Sequence, residues 1–202
     1  MEPQKKGHGL LWLILGGLAL LLAIGVGTFF FLSGGEEESA VVNDHTAEAG
    51  EPALISVPGY SYENPATSIA ADFDGSMQQT NEQLAAMMPA GSEDVYVSWS
   101  IHEVSATGTE PVALLGLLEV NQQFASTPQF DPEMVVAGMA GGMATEGSTV
   151  STETIEGETV AVAEGDVTAY AWYHDGTMSM AFGENQDDLL QFVESYLAEA
   201  NS

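Results

Sequence analysis

Apolar and polar positions divide the chain into two unlike parts. Residues 10–32 form a run of 23 positions without a charge, mostly Leu, Ile, Val, Ala, Gly and Phe. As a helix this run spans about 34 Å at roughly 1.5 Å per residue, enough for a hydrocarbon core of about 30 Å. Residues 33–56 are rich in Gly, Glu, Ala, Ser, Asn and Asp and read as an acidic, flexible stalk. From residue 57 the pattern is that of a folded domain, with a turn and aromatic anchors at Val57-Pro58-Gly59-Tyr60.

Within that domain the spacing predicts a helix over 77–88, ended by Pro89 and Gly91. Val95, Val97, Trp99 and Ile101 alternate with polar residues, which predicts a half-buried strand over 95–104. Residues 112–120 are nearly all apolar and predict a buried central strand, joined to the first through 107–111. Asp131 as N-cap and Pro132 at the first helical position start a second helix running to about Met143, where Gly141 and Gly142 break it. Strands follow over 150–155, 158–163 and 167–173. The last pairs with 177–182 through Asp175-Gly176, a hairpin signal. A final helix begins at the cap Asn185 and places Leu189, Leu190, Val193, Tyr196 and Leu197 on one face. Hairpins alternating with helices imply an α+β domain: a mostly antiparallel sheet with helices packed on one face.

Charge sharpens the topology. The 202-residue chain has 30 acidic residues and only two basic ones, Lys5 and Lys6, for a net charge of −28. Only Glu2 among the acids precedes the apolar run; the 29 from Glu36 onward face no Lys or Arg. Lys5 and Lys6 on one side and Glu36, Glu37 and Glu38 on the other place residues 1–9 in the cytoplasm and residues 33–202 outside. A cleaved signal peptide fits less well, because its apolar stretch is shorter and ends in a small-x-small site. Ala19, Ala23 and Gly27 lie on one helix face, a stripe compatible with a homodimer of anchors. The acidic surface implies a halophilic or alkaliphilic prokaryotic setting, in which dissolved ions screen self-repulsion. It excludes nucleic-acid and nucleotide partners, which require basic contacts.

Candidate chemistry is sparse. No cysteine is present, so disulfides, thiolate nucleophiles and thiolate metal sites are excluded. Ile69-Ala70-Ala71-Asp72-Phe73-Asp74-Gly75-Ser76 resembles the first motif of haloacid-dehalogenase-type phosphatases, an apolar strand ending in D-x-D-G-[TS]. The resemblance implies Asp72 as nucleophile and Asp74 as general acid. That family also uses a downstream Lys or Arg to hold phosphate, and this chain has none after Lys6. The residues themselves predict a capped turn leading into the helix at Met77. Asp72, Asp74 and Ser76 also match the 1-3-5 ligand spacing of an EF-hand, but Met77 stands where its Gly belongs and Gln83 where its Glu belongs. Asp72 and Asp74 therefore stand as a looser candidate site for calcium or magnesium; no other cofactor is expected.

His8, His45, His102 and His174 show no metal-binding spacing. Neither a G-x-S-x-G nor a S-x-x-K signature occurs. Met134, Met139, Met143, Met178 and Met180 suit either a core or an adaptable apolar groove. Trp99, Tyr170, Trp172 and Tyr173 read as sheet-face aromatics. The expectation is a membrane-anchored, non-catalytic extracytoplasmic binding, sensing or interaction module. Its partners would be membrane lipid through residues 10–32 and a protein or a second copy. The alternative is an enzyme or enzyme accessory holding a divalent cation with carboxylates.

Overall fold

The computed structural model describes residues 52–87, 94–107, 111–127, 130–143 and 148–202. The predicted membrane helix over 10–32, the stalk up to residue 51, the predicted helix end at Pro89 and Gly91 and residues 108–110 of the predicted 107–111 link lie outside these residues, as do His8 and His45. Among the described residues no helix is long and apolar enough to cross a membrane.

Among the described residues seven strands form one sheet: β1 (Tyr60–Glu63), β2 (Tyr96–Ala106), β3 (Pro111–Val120), β4 (Thr149–Ile155), β5 (Glu158–Glu164), β6 (Thr168–His174) and β7 (Thr177–Gly183). Their order is β1-β2-β3-β7-β6-β5-β4, and every neighbouring pair is antiparallel. The helices are α1 (Thr67–Met87), the single turn α2 (Gln122–Ala125), α3 (Pro132–Met143) and α4 (Gln186–Ala200). The α+β class and the antiparallel sheet are as the pattern predicts.

Two elements begin where turn chemistry dictates. The Asn185 side chain accepts from the amides of Asp187 and Asp188 and caps α4. Asp131 accepts from Glu133 and Met134 at 3.0 and 3.4 Å and caps α3. The β6–β7 hairpin turns through Asp175 (φ 44°) and Gly176 (φ 84°), left-handed values that a two-residue loop needs.

The pattern predicts helices on one face only; instead both faces are covered. Phe73, Met77 and Leu84 of α1 and Val136 and Met139 of α3 pack on one side, over Ala161, Ala163, Ala169 and Ala171. Leu189, Phe192, Val193, Tyr196 and Leu197 of α4 pack on the other, over Val160, Val162, Tyr170 and Trp172. The physical reason lies in β3, β5 and β6, whose successive residues are apolar on both sides of the pleat. Small residues face α3, so that this Gly-containing helix approaches closely; large ones face α4.

α1 also departs from expectation. It starts at Thr67, ten residues before Met77, and runs through the Asp72–Gly75 stretch read as a turn. Phe73, Met77, Thr80 and Leu84 recur at helical spacing and are all buried. The Phe73 ring rests on Gly116 of β3, where a Cβ would sit 3.3 Å from its Cζ. Burial of that face outweighs the weak helix preference of Asp and Gly. β1 and α2 have no counterpart in the pattern. The fold also reaches back to Pro52, into the predicted stalk: Pro52 is buried and Ile55 packs beside the α4 cluster.

Candidate interaction surface

Asp72 and Asp74 lie two residues apart inside α1, so their side chains leave the helix about 200° apart. Asp72 is half-buried and Asp74 exposed. Asp74 accepts a hydrogen bond from the Trp99 indole N–H at 3.1 Å, which ties α1 to β2. A phosphatase motif needs its first Asp at a strand end, and here that position is helical. Among the described residues, no three His, Asp or Glu side chains come together in a way that would hold a metal ion.

The two described histidines occupy separate places. His102 on β2 lies 3.0 Å from the Ser100 hydroxyl and meets the Tyr62 ring edge-on at 6.4 Å. His174 at the end of β6 places Nδ1 2.9 Å from Oε1 of Glu158 across the β5–β6 ladder. Each partner is 27% exposed, which leaves this cross-strand pair in contact with water.

Met139, Met178 and Met180 are core residues, whereas Met134 projects from α3 at 55% exposure. Tyr60, Tyr62, Phe192, Tyr196 and Trp172 form a chain of edge-to-face ring contacts 5.2–6.4 Å apart beneath α4. Burial raises the pKa values of the Tyr62 and Tyr196 phenols, as expected for structural aromatics.

The open feature of the surface is β4. Among the described residues it pairs only with β5, at one end of the sheet, and Thr149 to Thr154 are all exposed. The hairpin linking it to β5 turns through Glu156 (φ 50°) and Gly157 (φ 90°). A two-residue turn makes its flanking residues, Ile155 and Glu158, a hydrogen-bonded pair. Pairing then alternates along the strand. Residues 149, 151, 153 and 155 bond to β5, while the N–H and C=O groups of Val150, Thr152 and Thr154 face outward. The opposite edge, β1, is four residues long. β4 carries neither the proline nor the lysine with which edges are commonly blocked.

Carboxylates flank this edge on the α4 side. Glu153 shares that face with Val160, its partner on β5, and Glu164 lies on the same face beside Thr149. Both lie close to the Tyr170 phenol, as does Glu194 of α4. Tyr170 shows the crowding: burial first, then Glu153, Glu164 and Glu194, raise its pKa, while a hydrogen bond with Gln186 opposes them. Gln186 also donates to Glu164 Oε1. No Lys or Arg offsets these charges, because none occurs after Lys6.

The residue pattern predicts β4 as a strand but not its place at the sheet edge. The signal was present in its composition: Thr149-Val150-Ser151-Thr152-Glu153-Thr154 is polar on both sides of the pleat, unlike the apolar runs of β3 and β6. This chain matches no protein-family model, curated protein or solved structure.

Proposed function

We propose that the chain is a membrane-anchored, non-catalytic interaction module whose α+β domain faces the extracytoplasmic side and is adapted to salty or alkaline surroundings. The observation that carries this reading is the segregation of charge across residues 10–32. Lys5 and Lys6 precede the apolar run, and 29 acids with no Lys or Arg follow it. Such a domain suits cations and basic partners and repels phosphate, nucleotides and nucleic acid. The exposed β4 edge supports a role in association, because unpaired strand edges are recognition surfaces for other chains.

Two measurements test the reading. In sealed vesicles with the outer surface exposed, added protease should digest the domain without lysis. Protection until lysis would overturn the topology. The melting temperature of the full chain should rise from dilute buffer to molar salt, as screening relieves self-repulsion. Equal melting in both would overturn the adaptation.

A further inference from the structure

Resting on the reading of the domain as an interaction module, we infer that β4 is a docking edge for an extended, lysine- or arginine-bearing segment of another protein, which adds as an eighth strand. Three observations converge. The outward N–H and C=O groups of Val150, Thr152 and Thr154 alternate as a strand partner requires. The edge is seven residues long, exposed from Thr149 to Thr154, and unprotected by proline, lysine or a register shift. The face beside it carries Glu153 and Glu164 by strand register, with Glu194 of α4 near them, and no Lys or Arg to offset them.

Charge selects the occupant. A second copy would bring the same uncompensated acids to the edge. The stalk of this chain is acidic as well, with Glu36, Glu37, Glu38, Asp44, Glu48 and Glu51. Its only basic residues, Lys5 and Lys6, lie before the anchor. The complementary strand must therefore come from another molecule. Its basic side chains point to the Glu153 face and its alternate side chains to the Val150 face, where Val150 is 40% exposed. Backbone pairing supplies register, and the carboxylates select basic sequences.

The test uses the full chain in detergent micelles, at a salt concentration where the domain is folded. The probe is a synthetic peptide alternating Lys with Thr and Val. Two controls accompany it: the same peptide with Glu for Lys, and one N-methylated at alternate amides, which keeps the charge but cannot pair as a strand. The Lys peptide should bind and slow hydrogen exchange at the amides of Val150, Thr152 and Thr154, and both controls should fail. Thr152→Pro deletes one outward N–H and leaves the β4–β5 ladder intact, so it should weaken binding about tenfold with melting nearly unchanged. Glu153→Gln together with Glu164→Gln should weaken binding and flatten its salt dependence. Equal binding by the N-methylated peptide, protection elsewhere in the domain, or protection of β4 by self-association without peptide would each overturn the inference. None of these outcomes bears on the vesicle protease experiment, so failure here is distinguishable from failure of the anchored topology.

Discussion

Asn81 of α1 pairs with the backbone of Tyr96 as a neighbouring strand would. Its Nδ2 donates to the Tyr96 carbonyl at 2.7 Å, and its Oδ1 accepts the Tyr96 N–H at 3.1 Å. Both residues are buried, at 6% and 2% exposure. The contact lies where β2 begins and where its register with β3 shifts between Tyr96 and Ser98. One amide side chain thus satisfies two buried backbone groups at an irregular strand end and fixes α1 to the sheet.

Asn81→Ala leaves both groups of Tyr96 unpaired away from water and should cost about 2–4 kcal/mol, read by urea unfolding. Asn81→Asp keeps the acceptor and loses the donor at neutral pH. Relative to wild type it should regain stability on acidification, when a protonated carboxyl donates to the carbonyl again. An Ala variant within about 0.5 kcal/mol of wild type would show that water replaces the amide.

Trp172 is fully buried on the α4 face, 5.5 Å from the Tyr196 ring. Its indole N–H finds no hydrogen-bond partner among the described residues. Trp172→Ala should cost about 3–5 kcal/mol through the cavity it opens. Trp172→Phe should cost much less, because removing an orphan donor returns roughly 1–3 kcal/mol against the lost area. Similar losses in both variants would mean that the N–H is satisfied in solution.

Alkaline pH should limit the stability of the fold. Burial pushes the Tyr196 phenol up to about 12, and its hydrogen bonds with the Ile55 backbone and Ser179 only partly offset this. Tyr62, Tyr96, Tyr170 and Tyr173 are raised as well, each first by burial. A tyrosine raised in the folded state stays neutral there while the unfolded chain ionises near pH 10. The stabilisation is complete below that value and is lost as pH rises toward 12, at about 1.4 kcal/mol per pH unit per group. Thermal melting should therefore be insensitive to these groups below about pH 10 and fall steeply above it. Tyr196→Phe should make the fall shallower. A Tyr196→Phe profile that parallels wild type would remove this phenol from the account.

Much of the fold was legible because short-range physics dictates it. β2 to β7, α3 and α4 lie within a residue or two of where alternation, caps and turn residues place them. Asn185, Asp131 and Asp175-Gly176 act through neighbours a few positions away, so no tertiary knowledge is needed to read them. The charge division at residues 10–32 is likewise a property of the sequence alone, and it underlies the proposed topology.

Tertiary structure decided the rest. The Asp72–Gly75 stretch, polar and glycine-bearing, looks like a turn until Phe73 is seen seated on Gly116 of a strand more than forty residues away. The helices cover both faces because β5 and β6 set alanines on one side and Val160, Val162, Tyr170 and Trp172 on the other, and only strand order shows what lies over each. The exposure of β4 follows from its position at the end of the order β3-β7-β6-β5-β4. The polar residues of β4 mark a strand with little to bury, but only the global pairing decides whether a neighbour satisfies its outer hydrogen bonds, and among the described residues it leaves those of Val150, Thr152 and Thr154 facing outward.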